Sequence, residues 1–145
     1  MKTMKLKSLL LGLTFTLGLI TFPLQAGVVV IGHVSNNASL DSKQIARIFL
    51  GKATKFPGGA KAAPVDQAPG SAARTDFYNK VVGKGEAKVK AYWNQRIFAG
   101  KGKGRPKEIG DGAAVKSWVS SHPKAIGYID SSLVDDSVKV LFSAD

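Results

Sequence analysis

The chain has 145 residues, a formal net charge of +11 and no cysteine. The missing cysteines exclude disulfide staples and thiol chemistry. The charge predicts attraction to anions without naming one.

At the N-terminus, Lys2, Lys5 and Lys7 precede an uncharged apolar run over residues 9–22, and residues 23–26 end in a small side chain. This is the pattern of a secretory signal cleaved before Gly27. The run is shorter than the ~20 apolar residues of a spanning helix. Gly12 and Gly18 interrupt it, and no cysteine follows to carry a lipid anchor. Removing residues 1–26 leaves residues 27–145, one domain of net charge +8 after the loss of three lysines. An exported domain without disulfides suits a bacterial periplasm.

Residues 27–32 are apolar and β-branched, and read as a buried strand of the kind found in a parallel sheet covered on both faces. His33 closes it, with no partner spacing for a metal. Ile45, Ile48 and Phe49 share one face of a short helix, with Asp41 or Ser39 as its cap and Gly51 at its end. Residues 52–62 form a loop around the Pro57-Gly58-Gly59 turn. Residues 63–66 are a short extended piece leading into Ala68-Pro69-Gly70-Ser71-Ala72-Ala73-Arg74.

That last stretch carries the chemistry. Pro69-Gly70 is a turn, and Ser71 is a good N-cap for a helix over residues 71–82. A helix start has unpaired N–H groups and the positive end of the dipole, so it can seat an oxyanion. The candidate site is Gly70, Ser71, Ala72, Ala73 and Arg74. The plainer reading is a serine that only caps its helix and an arginine that is only solvated.

Further on, residues 86–98 read as a helix with Val89, Trp93 and Ile97, joined by Tyr92 and Phe98, on its apolar side and Trp93 as a core anchor. Residues 99–107 alternate glycine with cations and read as a solvated loop that could attract polyanions or a partner. They lack the spacing of a phosphate-cradling Walker loop. A last helix spans residues 113–121 with Val115, Trp118 and Val119 inward, ending at His122-Pro123. Residues 125–129 and 138–142 are strands. The order of elements indicates a single α/β domain.

Ile48-Phe49-Leu50-Gly51-Lys52, the Phe56-Pro57-Gly58-Gly59 turn, Pro64-Val65, Phe77 with Val82-Gly83-Lys84, Ala91-Tyr92-Trp93, Phe98-Ala99-Gly100-Lys101-Gly102 and Lys124-Ala125-Ile126-Gly127-Tyr128-Ile129 follow one another in this order. Together they resemble the short substrate-binding (PstS-like) proteins of phosphate ABC transporters. The resemblance covers nearly all of residues 27–145. It implies one lobe of a type II periplasmic-binding-protein-like fold, a mostly parallel central sheet flanked by helices. It also implies phosphate held at a Ser-Gly-Thr turn, with an Arg four residues before the Ser. Here Ser71 matches, Ala72 and Ala73 stand at the Gly and Thr positions, and Gln67 stands at the Arg position. Arg74 could supply the cation from the other side of the turn, and Asp66 or Asp76 could accept a phosphate proton.

The expected function is therefore binding of phosphate or a similar oxyanion for an ABC transporter, with no catalysis, cofactor or metal. A permease or another envelope protein is an expected partner, and self-association could complete a half-built site. The alternative is an envelope adaptor module with no small ligand. A Ser71–His122–Asp triad has no supporting G-x-S-x-G elbow. Nucleic acid has only the net charge in its favour.

Overall fold

The computed structural model describes Gly18 and residues 27–144. Apart from Gly18, the expected signal segment lies outside the described residues. The elements in order are β1 (Val28–Gly32), α1 (Ser42–Phe49), β2 (Ala63–Gln67), α2 (Ala72–Phe77), a π-helical turn (Tyr78–Val82), α3 (Glu86–Phe98), β3 (Lys107–Gly110), α4 (Gly112–Ser121), β4 (Ala125–Asp130), a 3-10 turn (Ser131–Leu133) and β5 (Lys139–Ser143).

The five strands form one sheet in the order β3-β2-β4-β1-β5. β2 pairs in parallel with β3 and β4. β1 is antiparallel to both β4 and β5. The sheet is thus flanked by helices as expected, but mixed, with two of its four pairings parallel. The continuous apolar run of β1 reflects cover on both faces and says nothing about strand direction. Side chains alternate across a strand. Val28 and Val30 accordingly join the cluster containing Ile45, Ile48, Phe49, Phe77 and Tyr128 on one face. Val29 and Ile31 join Val65, Val115, Val119 and Ile129 on the other. Both clusters are built from residues 28–141.

Local chemistry explains the helix boundaries. Asp41 and Gln44 form a reciprocal capping box at the start of α1, with bonds of 2.7 and 2.9 Å. Ser71 caps α2 and Asp111 caps α4. α4 packs against β4 at Gly127, where a Cβ would come within 2.7 Å of Val115. Gly51 turns the chain out of α1 at φ 68°, against the Trp93 ring.

Three expectations need correction. The helix expected over 71–82 is regular only to Phe77 and then widens into the π turn, which ends at Gly83 with φ 76°. The turn brings Tyr78, Val81 and Val82 into the core together. β3 is an element the sequence reading lacks; only its first residue, Lys107, falls in the expected basic loop. It is an edge strand with no buried residue, so no apolar pattern announces it. Finally, Ile97 is 45% and Phe98 97% exposed rather than inward, because α3 leaves the core after Trp93.

Candidate binding site at the end of β2

β2 ends in the only two buried polar residues among those described, Asp66 and Gln67. Both are at the carboxyl end of a parallel strand, where α/β folds place ligands. Burying a carboxylate is costly unless it is paired and hydrogen-bonded. Asp66 is both. Tyr78 donates its hydroxyl to Oδ2 at 2.6 Å, and Tyr128 donates to Oδ1. The Arg74 guanidinium lies 3.6 Å away. Burial pushes the Asp66 carboxyl above its ordinary value, against the two tyrosines and Arg74, which favour the charged form. Burial, with Asp66 close by, drives both Tyr78 and Tyr128 far above the ordinary phenol range.

Gln67 ties three elements together. Its backbone N–H donates to the Tyr128 hydroxyl at 3.2 Å, and its amide Nε2 donates to the Tyr128 carbonyl at 2.9 Å. Its Oε1 accepts from the Ser71 hydroxyl at 2.5 Å, and its carbonyl accepts from Arg74 Nη1 at 2.5 Å. Ser71 Oγ also accepts from the Arg74 backbone N–H at 3.2 Å. The first bond within the helix runs from Thr75 N–H to Ser71 O. The N–H groups of Ala72 and Ala73 precede it and find no acceptor among the described residues. Gly70 takes φ 93° in the turn, with open space around its missing Cβ.

Arg74 turns toward the sheet and α3. Besides Asp66 it meets Glu108 at 3.3 Å and Glu86 at 3.7 Å. Burial pulls its basicity down, but Asp66 and the neighbouring groups more than restore it. Its guanidinium also lies 5.6 Å from the centre of the Tyr78 ring. These groups wall a cleft of about 340 Å³, closed on its other sides by Trp93, Lys90 and Arg105. Of the five candidate residues, Arg74 lines this cleft, while Gly70, Ser71, Ala72 and Ala73 form the helix start beside it. Asp76 is apart, pairing with Lys80 on the surface.

Sequence reasoning missed Glu86, Glu108, Tyr78 and Tyr128, which come from four elements with no common spacing. The one available signal was Asp66-Gln67, two polar residues closing a strand that begins with Ala63-Pro64-Val65. No group of three metal-ligating side chains occurs among the described residues. Ser71 and His122 have separate partners. The His122 ring stacks on Trp118 at 3.9 Å and its Nδ1 contacts the Trp118 carbonyl, so the two form no triad.

No family profile matches the sequence, and no curated protein matches it. Solved structures do. A Clostridium perfringens protein assigned as a phosphate ABC transporter substrate-binding protein, with phosphate bound, aligns with a TM-score of 0.61 at 27% identity over 79% of this chain. The chain is PstS-like in fold. An ABC-type phosphate transport receptor from Vibrio cholerae aligns at 0.60 and 20% identity over 79% of the chain. PstS from Borrelia burgdorferi aligns at 0.52 and 14% identity over 71%. The PstS-like chain matches only 44, 45 and 40% of these three proteins, less than half of each. Its fold is thus that of one lobe of a transporter's binding component, a non-enzymatic class of protein.

Proposed function

We propose that residues 27–145 are a periplasmic solute-binding lobe, exported by residues 1–26, that takes phosphate or a similar oxyanion for an ABC transporter. The carrying observation is the likeness to the phosphate-bound Clostridium perfringens protein, joined to the two N–H groups left open at Ala72 and Ala73. The anion would sit before α2, on those N–H groups, with Gly70 leaving room for its approach and the Ser71 hydroxyl turning to it from Gln67 Oε1. Arg74 would act from behind the turn, since its inner nitrogen is already bound to Gln67 and three carboxylates surround it.

That surrounding charge sets the expected strength. Two charge-assisted bonds of about 2 kcal/mol each correspond to a Kd of about 1 mM. The test is an amide NMR titration of residues 27–145 with phosphate, with sulfate as control. Ala72 and Ala73 should shift most and saturate. Ala72→Pro is the matched variant. Ser71 already has φ −69° and ψ 131°, which suits a residue before proline, and the first helical position tolerates proline. It removes one N–H and should weaken binding about thirtyfold with the fold intact. Equal shifts with sulfate would reduce the reading to general anion attraction. No shift at either alanine would overturn the anion site.

The second reading is an adaptor with no small ligand, served by a permease, another envelope protein or a second copy. It is favoured by the ion pairing of Arg74, which ties up the one cation at the helix start. A net charge of +8 on residues 27–145 opposes self-association. Sedimentation with and without phosphate distinguishes a composite dimeric site from a monomer.

A further inference from the structure

Away from the cleft floor, the far end of α3 and the loop after it form a tip that the proposed anion site does not use. Phe98 is the last residue of α3 and is 97% exposed; Ile97 beside it is 45% exposed. A single exposed leucine or valine is ordinary on a protein surface. A whole phenyl ring projecting into water is less so, and its setting is specific. From Ala87 to Lys107 the chain carries seven cations and no acid. None of them makes an ion pair among the described residues, where Arg74, Lys80 and Lys116 hold the five that occur.

The loop folds back against the helix end and holds its cations beside Phe98. Gly100 N–H donates to Ile97 O at 3.0 Å, and Lys101 N–H to Arg96 O at 2.7 Å. Gly102 packs so closely on Ile97 that a Cβ there would meet Cγ1 at 2.6 Å. Gly100 and Gly104 take positive φ, 73° and 91°. Lys101 and Lys103 therefore sit, exposed, on a short, tightly turned loop held against the helix end that carries the outward phenyl, and Arg105 follows them toward the cleft.

We propose that this tip docks the domain on an anionic lipid surface, with Phe98 entering the boundary between headgroups and acyl chains. The unpaired cations around it would lie against the headgroup charges. An aromatic or aliphatic wedge with lysines and arginines on its polar side is the composition of interfacial anchors. Charge complementarity selects the occupant: the exposed Lys101, Lys103 and Arg105, in a stretch with no acid, match a uniformly negative surface better than a mosaic protein surface. A projecting ring needs a soft medium to enter, and lipid supplies one without a preformed pocket. The inference is independent of the anion site.

The test is sedimentation of residues 27–145, which contain both core clusters, with phosphatidylglycerol-containing or pure phosphatidylcholine vesicles at about 0.1 M salt. Binding is expected only with phosphatidylglycerol, and should fall as salt rises. Phe98→Ser should weaken it about tenfold, and each of Lys101→Gln, Lys103→Gln and Arg105→Gln about fivefold. Phe98→Trp should keep binding and add blue-shifted emission on those vesicles. Equal binding to both vesicle types, or phosphatidylglycerol binding untouched by Phe98→Ser, would overturn the proposal. Phe98-dependent retention on single-stranded DNA without vesicle binding would overturn it in favour of nucleic acid.

Discussion

The two ends of α3 handle charge in opposite ways. At its N-terminal end, Glu86 joins Asp66 and Glu108 around one guanidinium, and nearly every polar atom there has a partner. Beyond its C-terminal end, the exposed Lys101, Lys103 and Arg105 have no carboxylate within ion-pair distance among the described residues. The first arrangement is centred on a buried carboxylate and geometrically specified, so it fixes structure: it locks β2, α2, the π turn and β4 to one another. The second is wet and unspecified, so it contributes little to stability and is available to a partner. Charge that is answered inside the fold holds it together; charge left unanswered addresses something outside.

The most severe test of that contrast is Asp66→Ala. It strands Tyr78, Tyr128 and Arg74 without their common acceptor. Breaking a buried charged cluster by removing one member costs about 3–5 kcal/mol. Urea unfolding should show a loss at the lower end, about 3 kcal/mol, since Arg74 keeps Glu86 and Glu108. A loss below about 1 kcal/mol would show that the cluster does not lock the sheet to α2. Ser71→Ala comes next. It removes the cap on α2 and the bond to Gln67 Oε1, and should cost about 1 kcal/mol in the same assay. At the other end, the Lys101→Gln, Lys103→Gln, Arg105→Gln triple variant should leave stability within about 0.5 kcal/mol. A larger loss there would erase the distinction between the two ends.

The comparison also predicts two opposite pH dependences. Asp66 has a folded pKa raised above the ordinary 3.8, foremost by burial. Just above 3.8 the native state keeps a proton that the unfolded chain has released. This group's contribution therefore falls as pH rises through that window. Asp135, fully exposed, is held below 3.8 by Lys116, whose Nζ donates to it at 2.7 Å, and by Ser137. Its contribution is present above 3.8 and is lost as pH falls below it. Stability measured from pH 3 to 6 should lose the first slope in Asp66→Asn and the second in Asp135→Asn. Slopes of the same sign in the two difference curves would mean that Asp66 is not desolvated in solution.

Much of the scaffold was legible because local patterns carry it. Ile45, Ile48 and Phe49 repeat at helical spacing and are all buried. Asp41, Ser71 and Asp111 cap the helices they precede, since capping depends only on residues within one turn. The candidate site was half legible. Ser71, Gly70 and the two open N–H groups follow from a turn running into a helix. The orientation of Arg74 does not, because it depends on Glu108, 34 residues away, and on Asp66 beneath it. An isolated helix start would leave Arg74 pointing into water.

By itself, the sequence determined the α/β order, the buried run of β1, the helix caps, the Ser71 turn and the acid-free basic stretch. These rest on contacts between near neighbours or on composition. Only the tertiary structure decided the antiparallel placement of β1, the edge strand β3 and the convergence of Asp66, Tyr78, Tyr128, Arg74, Glu86 and Glu108. It alone showed Phe98 projecting from the end of α3. Strand direction and buried polar partners are settled by pairings between distant segments, and their energies appear only once water has been excluded from between them.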